Sequence, residues 1–413
     1  MVSAFRFFVG VDWGTVNHRV CVLDGEGNKI AEREVSHCGS ALQELLVWLR
    51  RQTGASPEQV AVAIEMPAGA VVEMLVERQY PAFAINPKQL DRFRDRYSVA
   101  GAKDDSRDAF VLADSLRTDR HCFHPVQLKD PQIIRLRTLS RLHHDLQQDW
   151  SRLSNQLREQ LHRYFPQMLQ LSAAADDSWM WDLLALVPRP VLLRRARLHT
   201  ISKILLRHRI RRFTAEQVLQ LLQTEPLPTA PGTAEAASEA SLLLIARLRM
   251  LQQQIREVDR RIADILLELQ TQEQTSQHRD VQLLCSVAGV GQVVAATMLA
   301  EALQPLRDRD YHALRSYAGA APVTRQSGKK KQVLMRYGCN QLLRNALYHW
   351  ARVSLQKDPR SRAHYHRLRQ KGHSHGRALR GVVDRLLAML ISILRHQMPY
   401  DPKRRSPLLQ PAT

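Results

Sequence analysis

Two stretches in the middle of the chain repeat apolar residues in steps of three and four, and this spacing constrains the fold more than any other feature. Residues 132–165 carry such residues along one side of a long helix, and residues 244–269 do so in strictly alternating steps. Alternating steps of four and three form the seam of a coiled coil. The second seam consists of Leu244, Leu248, Leu251, Ile255, Val258, Ile262, Ile265 and Leu269. We expect the two helices to pair, within one chain or between two chains, with a plain helical bundle as the alternative.

The first part of the chain has the pattern of an α/β domain. Short apolar runs, several of them ending in an acid, alternate there with stretches of helical spacing. Strands are predicted at residues 5–12, 18–24, 29–36, 60–65 and 82–85, and helices at about 41–51, 69–79, 88–95 and 105–119. The order β-β-β-α-β-α-β-α-α predicts a mixed sheet with helices on both faces and active residues at the strand ends.

The length of 413 residues predicts two to three domains. We expect an α/β catalytic domain over residues 1–125, a helical and coiled-coil domain over residues 126–275, and a helical C-terminal domain over residues 276–413. The predicted fold class is therefore α/β followed by mostly α.

Positive charge is concentrated outside the first domain. Residues 1–120 carry 15 basic and 17 acidic side chains, whereas the rest of the chain carries 45 basic and 23 acidic ones. Such an excess indicates a polyanionic partner, most often nucleic acid. The longest nearly apolar run, residues 386–394, is far shorter than the ~20 residues that span a bilayer, which argues against a membrane protein. Because the first residues show no secretory signal, we expect the protein in the cytoplasm.

The strongest local concentration of charge lies in residues 189–212, which hold nine basic residues and no acid. We interpret this stretch as a helical phosphate-contacting patch. The residues predicted to contact nucleic acid are Arg194, Arg195, Arg197, Arg207 and Arg211. A solvated surface helix is the alternative. The following residues 224–239, rich in Pro, Thr and Ala, are predicted to form a linker or exposed loop.

A glycine-containing turn opens the last domain. Gly289 and Gly291 precede an apolar helix over residues 293–303. Exposed amides at such a helix N-terminus can hold a phosphate, so the turn is predicted to be the hairpin of a helix-hairpin-helix that grips the DNA backbone. A simple tight turn is the alternative.

Four acids of the first domain lie where such a sheet places its active residues. Asp12 ends the first predicted strand and Glu65 ends a later one. Asp105 and Asp108 share one face of a helix. Converging carboxylates repel unless a cation neutralises them, and oxygen ligands prefer Mg²⁺ or Mn²⁺, which can serve phosphodiester chemistry. Each acid alone has a structural alternative as a turn acid or helix N-cap, and Asp104 competes with its neighbour for either role.

Several motifs together make the chain resemble a known family. They are residues 9–14 (VGVDWG), 65–69 (EMPAG), 85–88 (INPK), 103–109 (KDDSRDA), 317–322 (YAGAAP) and 325–329 (RQSGK). In combination they resemble the DEDD, RuvC-like transposases of bacterial insertion sequences, which are bridge-RNA-guided recombinases. The resemblance covers nearly the whole chain, and the joint occurrence of the early and late motifs is specific.

The resemblance implies an RNase H-type, RuvC-like first domain and an enzyme that cuts and rejoins DNA strands. The family's four metal-binding acids fall on the acids named above, and its nucleophilic serine falls on Ser327. It implies a composite site, in which this serine attacks a DNA phosphate and becomes attached to a strand end. The partners implied are donor DNA, target DNA and a guide RNA, and a dimer or tetramer is expected because several strands must be held at once.

Basic residues flank the serine and are predicted to bind phosphate and stabilise transition-state charge. They are Arg325, Lys329, Lys330 and Lys331. An ordinary polar turn is the alternative for Ser327. Two other functions stay open for the whole chain: a metal-dependent, junction-resolvase-like nuclease in which water attacks, and a non-enzymatic nucleic-acid-binding protein derived from a transposase.

Overall fold

The structure is a computed structural model that describes residues 5–401 apart from 66–68, 98–104, 127–129, 272–275 and 329. The chain forms two compact units, residues 1–130 and residues 131–413. The predicted three-domain division, with boundaries at residues 125 and 275, stays a prediction. Within the described ranges, no helix combines the length and apolar character needed to cross a membrane.

The first unit is a mixed six-stranded sheet with helices. Its elements are β1 (Phe7–Asp12), β2 (Asn17–Asp24), β3 (Lys29–Ser36), α1 (Gly39–Thr53), β4 (Val60–Ile64), α2 (Ala70–Glu77), β5 (Ala82–Ala84), α3 (Pro87–Arg94), α4 (Asp105–Thr118) and β6 (His124–Pro125). The strand order is β3-β2-β1-β4-β5-β6. The β1–β4 and β4–β5 pairs are parallel, and the other pairs are antiparallel. The structure confirms the predicted element order and is consistent with a RuvC-like domain, whereas β6 was not predicted.

Alternating side chains of the central strands bury both faces of the sheet. On one face, Val9 and Val11 pack with Leu45 of α1 and Val72 of α2. On the other face, residues such as Phe8 pack against α3 and α4. A strand that is buried on both faces has a continuous run of apolar residues. This is why β1 and β4 are easily recognised in the sequence.

Helix α4 packs directly on β1. A Cβ at Gly10 would lie 1.9 Å from the carbonyl oxygen of Ala109, so this approach requires glycine. The side chain of Arg117, near the end of α4, reaches Gly27 in the turn between β2 and β3, which lies beside the beginning of β1. The first turn of α4 therefore lies at the opposite end of β1, where Asp12 stands.

The second unit is helical except for one hairpin. Its elements are α5 (Pro131–Tyr164), α6 (Gln167–Leu171), α7 (Ser178–Leu186), α8 (Leu198–Arg207), α9 (Ala215–Leu222), α10 (Thr233–Thr271), α11 (Ser276–Ser286), α12 (Gln292–Arg307), α13 (Tyr311–Tyr317), β7 (Val323–Ser327), β8 (Lys330–Leu334), α14 (Gln341–Lys357), α15 (Pro359–Gln370) and α16 (His375–His396). Three short 3₁₀ helices, Pro57–Gln59, Arg120–Cys122 and Pro190–Arg195, complete the described elements of the two units.

The two longest helices, α5 and α10, pack against each other within the chain. Both contain the stretches of predicted helical spacing. Of the predicted seam on α10, Leu244 and Ile255 are partly buried and the other six residues are buried. Apolar spacing therefore located the helices and their buried faces. The supercoil of a coiled coil, and any association between chains, stay predictions.

Two predictions for the region between these helices are wrong in part. Residues 189–212 do not form one helix, because a 3₁₀ helix ends at Arg195, α8 ends at Arg207, and Arg209 takes a left-handed backbone with φ of +54°. Part of the predicted linker is helical, since α10 begins at Thr233. Alanine-rich sequence forms helix readily, and it was the accompanying Pro and Thr residues that suggested a loop.

Candidate functional site

The four predicted acids lie at one end of the sheet in the first unit, where the central strands β1 and β4 finish. Asp12 ends β1 and Glu65 directly follows β4. The parallel register pairs Val11 with Ile64, so these two acids occupy the next positions on neighbouring strands. The first turn of α4, which holds the other two acids, lies at the same end of β1. The carboxyl ends of parallel strands are where open α/β sheets bind ligands.

Asp105 and Asp108 differ sharply in their surroundings. Asp105 begins α4 and is exposed, whereas Asp108 is 1% exposed. Both belong to the first turn of the helix, where the helix dipole favours a negative charge. The competing residue Asp104 lies outside the described residues.

A basic residue that the sequence did not single out holds Asp108. Arg94, at the end of α3, donates from Nε to Oδ1 at 2.7 Å and from Nη2 to Oδ2 at 2.9 Å. It also pairs with Asp91 and feels the charge of Glu65. Burial disfavours the charged guanidinium, but the bond to Asp108 outweighs that effect and raises the pKa of Arg94. Nothing in its local sequence distinguishes it from other arginines on helices.

The four acids offer the type of ligand atom that the predicted metal ion requires. Carboxylate oxygens without thiol or imidazole partners are the ligands that Mg²⁺ and Mn²⁺ prefer. In the part of the chain that the structure describes, however, no three carboxylate, imidazole or thiol groups lie close enough together to hold a metal ion. Arg94 instead supplies positive charge beside the buried carboxylate. The four acids thus share one end of the sheet, one of them is engaged by an arginine, and their binding of a metal ion stays a prediction.

Ser327 stands at the tip of the hairpin in the second unit. It is the last residue of β7 and lies opposite Lys330 in the antiparallel register. The loop begins with Gly328 at φ of +54°, a conformation that two-residue hairpin turns favour. Ser327 is exposed, and so is Arg325 two residues earlier. Because strand side chains alternate, these two residues share one face of β7.

The lysines that follow Ser327 are only partly covered by the structure. Lys329 lies outside the described residues, and Lys330 and Lys331 are described by their backbone alone. Their contact with phosphate stays a prediction. The hairpin itself was not predicted, because its short strands are polar and carry no alternating apolar pattern.

The predicted glycine turn joins α11 to α12. Gly289 has a φ of +86°, and a Cβ there would lie 3.3 Å from Cδ1 of Trp350. The Trp350 Nε1–H donates to the carbonyl of Ala288 at 3.2 Å. Gly291 is the N-cap of α12 and is exposed. Close packing against Trp350 and the positive φ thus explain why glycine occupies position 289. Binding of the DNA backbone by this turn stays a prediction.

Comparison with known proteins places both units in transposase families. Residues 9–166 match a family described as a DEDD transposase of IS110, and residues 281–366 match the transposase IS116/IS110/IS902 family. The mini-circle putative transposase for IS117 of Streptomyces coelicolor is 31% identical over 99% of both chains. The chain belongs to this transposase family. Membership implies an enzyme that cleaves and rejoins DNA as part of an insertion sequence.

Two further relatives of the transposase support the assignment. The putative transposase y4uE of Sinorhizobium fredii is 50% identical over 216 residues, which is 52% of this chain and 60% of that protein. An IS116 protein of Streptomyces clavuligerus is 26% identical over 96% of both chains.

The basic patch of the transposase is partly neutralised by acids from other elements. Arg207 lies 3.6 Å from Asp182 of α7, Arg212 pairs with Asp177, and Arg189 pairs with Glu235 at the start of α10. The absence of acids within residues 189–212 therefore overstated the free charge. Arg197 and Arg211 are exposed, and the side chains of Arg194 and Arg195 lie outside the described residues. Nucleic-acid contact by the five predicted arginines stays a prediction.

A histidine pair, of which His18 is buried and His37 is exposed, lies beside the turn that follows Asp12. His18 is 1% exposed, and its Nδ1 accepts from the Gly14 N–H at 3.3 Å. This fixes the proton on Nε2, which then donates to Nδ1 of His37 at 2.8 Å. Burial and the neighbouring His37 lower the pKa of His18, which favours the neutral form. Sequence reasoning missed this pair, because neither histidine belongs to a recognisable motif.

A second buried polar group connects the long helix α5 to the C-terminal part of the transposase. Glu301 of α12 accepts from Arg141 Nε at 2.9 Å and Nη2 at 3.2 Å, and from Asn340 Nδ2 at 2.8 Å. The Asn340 side-chain oxygen also caps α14 by accepting from the Leu343 N–H. Burial opposes ionisation of Glu301, but the bonds from Arg141 and Asn340 outweigh it and lower its pKa.

Proposed function

We propose that this transposase cuts and rejoins DNA at a composite site, with the four acids of the first unit and Ser327 of the second acting on the same phosphate. Ser327 is the nucleophile, and Asp12, Glu65, Asp105 and Asp108 bind Mg²⁺ or Mn²⁺. The observation that carries the proposal is the exposed Ser327 at the tip of a basic hairpin. Hairpin tips are usually exposed, so what favours a functional serine over a structural turn is the set of basic residues that flank it in sequence.

The hairpin supports nucleophilic attack in two ways. Ser327 is exposed at the tip, so a DNA strand can reach its hydroxyl. Arg325 lies on the same strand face, where a guanidinium can hold the phosphate that is attacked and stabilise its developing charge. A serine hydroxyl is a weak nucleophile, so a base must take its proton as it attacks.

The reaction conserves the number of phosphate ester bonds, because each step exchanges one P–O bond for another. The Ser327 Oγ forms a bond to phosphorus while one P–O bond to deoxyribose breaks, and the departing deoxyribose oxygen takes up a proton. In the rejoining step, a deoxyribose hydroxyl of another strand attacks the same phosphorus and releases Ser327. A divalent ion held by the four acids would neutralise negative charge during these steps. Asp108 would serve as one of its ligands only in competition with Arg94, which bonds both carboxylate oxygens.

The partners follow from the same proposal. Donor and target DNA are the substrates, and a guide RNA selects the sites, as the resemblance to bridge-RNA-guided recombinases implies. The positive excess of residues 121–413 suits either nucleic acid, because phosphate contacts carry no sequence information. A dimer or tetramer holds the strands that are exchanged.

Covalent capture tests the nucleophile. The protein is expressed in cells with the DNA that flanks its gene, the lysate is denatured, and DNA that remains attached to the protein is isolated and sequenced. Wild type and the control Ser151→Ala, which alters another exposed serine on α5, are expected to give adducts. Ser327→Ala is expected to give none while keeping the helical circular dichroism of wild type, and Asp12→Asn is expected to reduce the yield strongly.

The other results have definite meanings. Adducts that persist in Ser327→Ala would refute the serine nucleophile. Cut DNA without any adduct in wild type would favour the metal-dependent nuclease, in which water attacks. Binding without cutting or adducts, with guide RNA and flanking DNA both supplied, would favour the non-enzymatic binding protein.

A further inference from the structure

A cleft of about 320 Å³ opens at the base of the Ser327 hairpin. Its walls come from the hairpin, from the region of α13, and from α15 and α16. The residues that line it include Pro322, Val333, Leu334, Leu368, Arg377 and Arg380. The cleft lies wholly within the second unit and belongs to none of the sites described above.

The cleft carries uncompensated positive charge. Asp384 is the one acidic side chain among the described residues that line it. Its carboxylate accepts from Arg315 at 2.8 and 2.9 Å and from the Tyr311 hydroxyl at 2.8 Å, so its charge is already matched. Arg377 and Arg380 have no carboxylate partner among the described residues. Arg377 is exposed and Arg380 is half-buried, which leaves two guanidinium groups for an anion.

Part of the cleft lining, contributed by β8, is apolar and open to solvent. Val333 is 59% exposed and Leu334 is 39% exposed, although they are adjacent on β8. A cleft lined by both guanidinium groups and exposed aliphatic side chains suits a single nucleic-acid strand. Its phosphates bind arginine, and its sugars and bases pack on apolar or guanidinium surfaces. A duplex keeps its bases stacked inside, and so it would leave the apolar wall uncovered.

The cleft also has a fixed relation to the proposed nucleophile. Val323 pairs with Leu334 at the base of the hairpin, and Ser327 lies four residues further along β7. At ~3.3 Å per residue the serine is about 13 Å from the base. That length corresponds to about four nucleotide steps at the ~3.4 Å spacing of a stacked strand.

We propose that this cleft binds single-stranded DNA, namely the segment a few nucleotides from the phosphate that Ser327 attacks. The inference rests on the proposed function, because that function makes a DNA strand the molecule that passes along the hairpin. The cleft then sets the register of the strand, so that one particular phosphate meets the serine.

Binding of a short fluorescent single-stranded DNA to the full chain tests the cleft. In the double variant Arg377→Gln/Arg380→Gln, anisotropy is expected to give a dissociation constant at least tenfold higher than in wild type. The slope of log affinity against log salt should fall by about 1.4, since each single-strand phosphate contact contributes about 0.7. The control Arg158→Gln/Arg256→Gln removes the same charge from exposed positions of α5 and α10 and should change neither value much.

A second pair of variants separates the cleft from general charge. Val333→Glu adds a carboxylate to the exposed wall without a packing cost, and it should weaken single-strand binding strongly. Leu243→Glu makes a comparable change at a 70% exposed position of α10 and should have little effect. Equal losses in both pairs, equal losses for duplex DNA, or a loss confined to single-stranded RNA would each overturn the proposal.

Adduct formation measured on the same variants distinguishes this inference from the proposed function. If the cleft variants lose strand binding but the wild-type protein forms no Ser327 adduct, strand binding by the cleft stands and the serine nucleophile is rejected. Cleft variants that bind strands normally, in a protein that forms the adduct, would reject the cleft alone. If both hold, the cleft variants should also shift or reduce the adducts.

Discussion

Arg94 grips both carboxylate oxygens of Asp108, and so the most buried acid of the predicted metal set is held in a bidentate ion pair. The Asp108 side chain is 2% exposed and that of Arg94 is 27% exposed. A metal ion that takes Asp108 as a ligand must therefore compete with a guanidinium for the same oxygens. The ion pair therefore opposes entry of a metal ion at Asp108.

Replacing Arg94 with Met is expected to tighten metal binding and weaken the fold. Removal of the guanidinium charge is worth on the order of 1–3 kcal/mol to a nearby divalent ion, which is about a 5- to 150-fold fall in dissociation constant. Without metal, the unpaired Asp108 should lower the free energy of unfolding by about 1–3 kcal/mol. Titration calorimetry with Mn²⁺ and urea unfolding with and without Mg²⁺ measure the two effects.

The control for that experiment is Arg92→Met, which removes an exposed arginine from the same helix. It should leave both quantities close to wild type. If Arg94→Met bound Mn²⁺ more weakly than wild type, the arginine would be positioning Asp108 for the ion rather than competing with it.

Gly10→Ala is expected to displace helix α4 from the sheet. The new methyl group would meet the Ala109 backbone, which cannot move aside as a flexible side chain can. Overpacking of this kind typically costs about 1–3 kcal/mol. Because α4 carries two of the four acids, metal affinity should fall as well. Gly39→Ala, with no atom within 4 Å of the new methyl group, should leave thermal unfolding and metal affinity nearly unchanged.

Features with a strong apolar period could be predicted from the sequence. The strands and helices of the first unit and the long helices α5 and α10 all bury apolar faces, so their spacing located them within a few residues. The order of the strands then placed Asp12 and Glu65 side by side. The hairpin of Ser327 could not be found this way, because most of its residues are polar and show no apolar alternation.

Contacts between residues distant in sequence account for the other differences. The partner of Asp108 is an arginine fourteen residues away whose sequence context is ordinary. The charge of the basic patch was overestimated because Asp182 and Glu235, which pair with Arg207 and Arg189, lie on other helices. Periodicity describes which face of an element is buried, but it does not show which polar groups meet there.

Glu301→Gln is expected to loosen the connection between α5 and the C-terminal helices. The amide keeps the shape but loses the charge that Arg141 and Asn340 stabilise, which should cost about 1–3 kcal/mol. The stability from ionised Glu301 is present above the ordinary glutamate pKa of 4.5, which applies to the unfolded chain, and is lost as the pH falls through the lowered folded pKa. Urea unfolding at about pH 7 and about pH 4 measures both effects.

The matched control is Glu257→Gln, which makes the same chemical change in an exposed ion pair of α10. It should change the free energy of unfolding little, because exposed ion pairs are screened by solvent. A loss in Glu301→Gln no larger than in this control would show that the buried bonds make little net contribution.

His18→Asn is expected to flatten the pH dependence of stability near neutrality. The folded pKa of His18 lies below the ordinary histidine value of 6.5, so the unfolded chain binds the proton more readily. Stability from neutral His18 is therefore full above about pH 6.5 and falls as the pH drops toward the folded pKa. The asparagine oxygen can still accept from the Gly14 N–H, but it does not titrate.

Unfolding free energies at about pH 7.5 and about pH 5.5 measure this difference. His143 and His364 also have lowered pKa values, and their contribution remains in both proteins. The part of the pH dependence that disappears in His18→Asn is thus the part due to His18. A variant that loses as much stability on acidification as wild type would show that protonation of His18 does not disturb the turn beside Asp12. If the pH dependence does flatten, metal binding by the four acids should also weaken less on acidification in the variant. The reason is that the turn held by His18 directly follows Asp12.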